Sequence, residues 1–91
     1  MIRRQVLIKG KVQGVSFRKS TRRIAEELRL RGWVKNLPSG GVAACFEGPS
    51  SSVEAMLAWC FIGPERARVD EVVIRKRGRC RKRFNGFEVR E

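Results

Sequence analysis

The sequence predicts an α+β sandwich, an antiparallel sheet with two helices packed on one face. Three observations carry this. Two apolar stripes at helical spacing lie in separate halves of the chain, strand-like segments flank each stripe, and a Pro-Ser-Gly-Gly turn joins the two middle strands.

Residues 3–9 (RRQVLIK) open as a strand, with Val6 and Ile8 on one face by period two. Gly10 and Gly14 bracket a loop. A helix is expected over residues 18–28, because Thr21, Ile24, Ala25 and Leu28 fall at i, i+3, i+4 and i+7. Gly32 punctuates, and residues 33–37 (WVKNL) form the second strand. Pro38-Ser39-Gly40-Gly41 is a turn with two residues that accept positive φ. Residues 42–47 follow as a third strand, with Val42, Ala44 and Phe46 on one face.

Gly48-Pro49 and three serines stop that strand and start the second helix, where Ser51 and Glu54 stand at capping-box spacing. Val53, Met56, Leu57 and Cys60 make its apolar stripe, and Gly63-Pro64 ends it. A fourth strand is expected over residues 67–75, and Phe87–Arg90 closes as a short last strand. The order β-α-β-β-α-β is the split βαβ, ferredoxin-like arrangement, in which right-handed crossovers put both helices on the same side. That fold hosts many unrelated activities, so it names none.

Ninety-one residues, 42% of them hydrophobic, suit one domain over residues 1–91. Twenty-one Lys and Arg against nine Asp and Glu give a net charge of +12. A field of that sign draws anions, whether nucleic acid, acidic lipid or a small phosphorylated substrate. There is no His, so the usual general base and the commonest metal ligand are missing. Cys45, Cys60 and Cys80 are odd in number and too far apart for a Cys-x-x-Cys site. They read as unpaired thiols of a reducing cytosol. The N-terminal apolar run is broken by Lys9, Gly10 and Lys11, too early for a signal peptide, and no segment approaches the roughly 20 apolar residues that span a bilayer. The expectation is a soluble cytoplasmic monomer without membrane contact.

The stretch from Gly10 to Arg18 (GKVQGVSFR) joins a strand to a helix. Backbone amides in such a loop and at a helix start are unpaired donors that can converge on an anion. Gly14 permits a close approach or positive φ, and Arg18 adds a planar fork for two phosphate oxygens. The same features also suit a solvated Arg beside an ordinary loop. The spacing is not that of a Walker loop.

GKVQGVSFR resembles the acylphosphatase signature, Gly-x-Val-Gln-Gly-Val-x-Phe-Arg. A second motif of that family follows as Gly32-Trp33-Val34-Lys35-Asn36, then Gly40, Val42 and Gly48. Glu47-Gly48-Pro49, Trp59-Cys60, Gly63-Pro64 and the Phe84, Phe87 and Arg90 region are similar as well, so the resemblance covers essentially the whole chain. It implies hydrolysis of acyl phosphates to a carboxylate and inorganic phosphate, on the ferredoxin-like fold. A loop over Lys11, Val12, Gln13, Gly14, Val15 and Ser16 would cradle the phosphoryl group, Arg18 would bind its oxygens, and Asn36 would orient the attacking water. It also implies no metal, no other cofactor and no covalent intermediate. Without the resemblance, Asn36 reads foremost as a turn residue capping its own backbone.

The chemistry is compatible with this residue inventory. An acyl phosphate releases a carboxylate, whose conjugate acid has a pKa of about 4, so no general acid is required. Phosphoryl transfer asks mainly for positioning and charge stabilisation, which amides and one guanidinium supply. No carboxylate presents itself as base, which leaves a substrate phosphate oxygen as proton acceptor.

Several positions depart from the family pattern. Arg29 stands where Gly is usual after the helix, so either it takes the left-handed conformation at a cost on the order of 1 kcal/mol, or the helix runs on. Lys19 replaces a frequent aromatic residue and alters the mouth of the site, and Ser39 replaces a frequent Asp. The stretch 75–83 (RKRGRCRKR) holds seven basic residues in nine, either a solvated loop or a secondary anion patch that activates Cys80. Trp33 and Trp59 read as packing residues.

A nucleic-acid-binding module is the main rival, since RNA-recognition domains share the fold class and +12 supplies phosphate affinity. The seven aromatics include no Tyr and no RNP pattern, so nucleic-acid contact is expected to be incidental. A second rival is an accessory domain at the front of a larger maturation protein that handles carbamoyl phosphate, and a third is a fold that has lost its activity.

Overall fold

A computed structural model describes residues 1–79 and 84–91. Five strands and two helices follow in the order β1 (Ile2–Lys11), α1 (Phe17–Glu27), β2 (Arg31–Asn36), β3 (Val42–Gly48), α2 (Ser50–Cys60), β4 (Arg68–Arg79) and β5 (Phe87–Arg90). The sheet order is β4-β1-β3-β2-β5. The pairs β1–β3, β1–β4 and β2–β3 are antiparallel, as expected, whereas β5 lies parallel to β2. The sheet is therefore mixed, a correction to the wholly antiparallel expectation. The chain leaves β4 on one edge and returns on the opposite edge beside β2, running in the direction of β2.

The two helical stripes form as read. Thr21 and Ala25 of α1, and Val53, Met56 and Cys60 of α2, are buried, with Ile24, Leu28 and Leu57 packed at the margin. They meet Val6, Ile8, Val34, Val42, Ala44 and Phe46 from alternate positions of the three central strands. Helix α1 covers β2 and β5, while α2 covers β1 and β3. Phe46 and Phe87 stack with centroids 5.8 Å apart and join β5 to the core. Trp59 tilts against Phe17 at 5.5 Å, and Trp33 is buried on the opposite sheet face, so both indoles pack as expected.

Element ends moved where pairing overrides local breakers. β1 runs on through Gly10 because its ladder with β4 continues, across a bulge, to Lys11 opposite Arg68. Gly32 does not end the region before β2 but lies within it. Its φ is 138°, and a Cβ there would run into the Cys45 main-chain oxygen. The absent side chain is what lets β2 approach β3. The predicted capping box does not form. Pro49 is the N-cap of α2 and no side chain caps that helix. Helix α1 stops on schedule and Arg29 takes φ 59°, the left-handed alternative. β4 extends through Arg79, so the basic stretch begins as strand, while Cys80 and the rest of that stretch to residue 83 lie outside the described residues.

On the sheet face away from the helices, Glu47 is fully buried and accepts from Arg3 Nη2 at 2.7 Å. The Arg3 guanidinium also lies 4.6 Å from the Phe84 ring centroid.

Candidate active site

The link between β1 and α1 is short, and its backbone is unusual. Gly14 has φ 73° and Ser16, the N-cap of α1, has φ 62°. Left-handed residues alternating with Val15 turn successive N–H groups toward one side, the geometry of an anion nest. Ser16 provides no side-chain cap, so the first-turn amides of α1 keep no side-chain oxygen in front of them. A non-glycine residue in this conformation costs on the order of 1 kcal/mol. Thr21 Oγ1 holds the Phe17 carbonyl at 2.7 Å behind that turn.

The loop is fixed from behind as well. Val12 and Val15 are buried in the core. Gln13 turns its amide away from the nest, and Nε2 donates to the Leu37 and Gly41 main-chain oxygens at 2.7 and 2.8 Å. One side chain thus ties the loop to the turn between β2 and β3. Asn36 is the last residue of β2, immediately before that turn.

A cleft of about 270 Å³ opens in front of the loop, lined by Val12, Gly14, Ser16, Arg18 and Asn36 among others. Arg18 is half-buried, and its Nη1 donates to the Arg90 carbonyl oxygen at 2.9 Å. Asn36 is also half-buried. Its Oδ1 is fully shielded and finds no hydrogen-bond partner among the described residues. A shielded acceptor left unpaired costs about 1–3 kcal/mol.

Of the residues predicted from the sequence, the structure brings Val12, Gly14, Ser16, Arg18 and Asn36 onto one cleft. Lys11, Gln13 and Val15 do not line it. Lys11 is exposed at the end of β1, Gln13 serves the turn, and Val15 serves the core. Sequence reasoning missed three contributors. Arg22 lines the cleft one helical turn beyond Arg18, a placement that i, i+4 spacing signals. Val89 and the Arg90 carbonyl come from β5, and no local pattern announces its parallel pairing with β2. Among the described residues no three His, Cys, Asp or Glu side chains cluster as a metal-ligand set. No helix among them is long and apolar enough to cross a membrane.

Fold and cleft together define a small ferredoxin-like domain with a cleft between its first strand-to-helix loop and the end of β2. The acylphosphatase family model matches residues 4–89, and the chain belongs to that family. A curated acylphosphatase from Geobacter sulfurreducens is 52% identical over 98% of this chain and 97% of its own length. The solved structure of an acylphosphatase from Coxiella burnetii superposes with a TM-score of 0.89 at 40% identity, over 97% of this chain and 90% of that one. The acylphosphatase from Bacillus subtilis gives a TM-score of 0.95 at 26% identity, over the full length of both chains. The protein is therefore an enzyme of the acylphosphatase class.

Proposed function

We propose that the enzyme hydrolyses the carboxyl-phosphate bond of acyl phosphates by in-line attack of water at the cleft between the β1–α1 loop and Asn36. The phosphoryl oxygens accept hydrogen bonds from loop amides around Gly14 to Ser16 and from Arg18. The Asn36 side-chain amide orients the water. As the water oxygen bonds to phosphorus, the bond from phosphorus to the acyl oxygen breaks. The electron pair leaves with the carboxylate, which needs no proton at neutral pH. The water's proton passes to a phosphoryl oxygen, and the products are a carboxylate and inorganic phosphate.

The observation that carries this reading is the placement of Asn36 on the same cleft as the left-handed loop and Arg18. Positioning and preorganised charge are the terms on which phosphoryl transfer depends most, and all three features supply them. The partners are then small molecules of the cytoplasm, and nucleic-acid contact through the basic surface is incidental.

The test is hydrolysis of benzoyl phosphate in EDTA by the wild-type protein, Arg18→Ala and Asn36→Ala. The reading expects turnover that survives the chelator and falls by on the order of 10²-fold or more in each variant. Loss in Arg18→Ala alone removes Asn36 from the chemistry. No turnover by folded wild-type protein overturns the reading.

A further inference from the structure

The cleft carries more positive charge than the phosphoryl group uses. Besides Arg18, it is lined by Lys19 and Arg22, and among the described residues no Asp or Glu lines it. Residues 18, 19 and 22 are neighbours on α1, since i, i+3 and i, i+4 positions share one helix face. Lys19 is exposed and has no acidic partner among the described residues. Arg22 meets Glu26 only at 3.6 Å, with both side chains more than half exposed, a loose pair that a ligand can replace. The apolar lining is Val12, Phe17 and Val89.

We infer that Lys19 and Arg22 are specificity-determining residues that favour acyl phosphates whose acyl part carries its own anionic group, a carboxylate or a second phosphate. This rests on the acyl-phosphate reading of the cleft. The loop amides and Arg18 face the transferred phosphoryl group, so the acyl part extends toward the mouth, where these two cations stand. A hydrocarbon acyl group gains nothing from those charges. An acyl group with a distal anion meets an unpaired ammonium and a weakly engaged guanidinium. The same charges raise the local concentration of a multiply anionic substrate over a singly charged one.

The test compares benzoyl phosphate with 3- and 4-carboxybenzoyl phosphate, which differ only in the distal charge. Wild-type protein, Lys19→Gln, Arg22→Gln and the double variant are assayed at low and at raised salt. The expected result is a carboxybenzoyl-to-benzoyl ratio of kcat/KM that falls by up to about fivefold in each single variant. It falls further in the double variant, and it falls in wild-type protein as salt screens the charges. An unchanged ratio overturns the inference, even where both absolute rates fall, because the two cations then serve only the phosphoryl group. Failure of folded wild-type protein to hydrolyse benzoyl phosphate is a different result, and it overturns the acyl-phosphate reading itself.

Discussion

Arg18 Nη1 donates to the Arg90 main-chain oxygen at 2.9 Å, across 72 residues of sequence. The guanidinium is thus aimed by a carbonyl at the end of β5, and β5 is held there by its parallel ladder with β2, Lys35 opposite Arg90. Asn36 follows Lys35 directly, so the adjacent C-terminal ends of the two strands carry Asn36 and the tether of Arg18.

Removing Arg90 and Glu91 takes away this acceptor while leaving Phe87 in the core. One hydrogen bond of a charged group contributes about 1.5–3 kcal/mol. A truncated chain ending in an amidated Val89, so that no new carboxylate stands in for the lost acceptor, should therefore lose roughly tenfold or more in kcat/KM, with a near-wild-type urea midpoint. Activity at the wild-type level would show that the tether does not position Arg18. The companion variant Arg18→Lys keeps the charge and loses the fork, and its kcat/KM should fall well below that of the truncation.

Arg29 sits at φ 59° just past α1. Arg29→Gly relieves a left-handed strain of about 1–2 kcal/mol but adds unfolded-chain freedom of about 0.4–1 kcal/mol. The net expectation is a gain of about 0.5–1 kcal/mol, read as a higher midpoint in chemical denaturation with unchanged kcat. A lower midpoint would show that the Arg29 side chain stabilises the fold more than its backbone costs.

Glu47 is fully buried and Arg3 reaches it at 2.7 Å. Arg3→Ala removes a charge-assisted bond to a carboxylate that has left water, together with a cation stacked on Phe84. The expected loss is about 2–3 kcal/mol of unfolding free energy, and turnover at low temperature should persist because both residues lie on the sheet face away from the cleft.

Burial pushes the Cys60 thiol up to about 12. The folded state then holds a proton that the unfolded chain releases above the ordinary thiol range of about 8.5. Its contribution is complete at neutral pH and is lost as pH rises toward about 12. Cys60→Ala should flatten that alkaline decline, at a constant cost for the cavity it leaves. A thiol reagent at pH 8 should leave Cys60 unmodified until the chain unfolds. Rapid modification of the native protein at that position would contradict the burial.

The helical stripes, the hairpin and the loop from Gly10 to Arg18 were legible because each rests on local spacing. Phe46 and Ala44 show their face by alternation alone. What the sequence hid depends on pairing at a distance. Gly10 and Gly32 resemble breakers, yet the ladders with β4 and β3 carry strand geometry through both. The side of the sheet taken by β5, and with it Arg90 and Val89 at the cleft, follows from Phe87 stacking on Phe46, a tertiary contact without sequence periodicity. The side chain of Gln13 serves the turn, a tie across 24 and 28 residues that no local spacing announces. The backbone conformation of Ser16 is opposite to what its residue type favours, which is where local preference gives way to the site.

Gln13 reads only main-chain oxygens, those of Leu37 and Gly41. Gln13 therefore constrains the length and path of the turn and places no demand on the side chain at Ser39, although Gly40 with φ 102° and Gly41 against the Ile8 oxygen are themselves fixed. Ser39 can drift freely through evolution, while a single inserted residue between Leu37 and Gly41 would pull two carbonyls from one amide and separate Asn36 from the loop it faces. Tolerance of substitution and intolerance of insertion meet in the same turn.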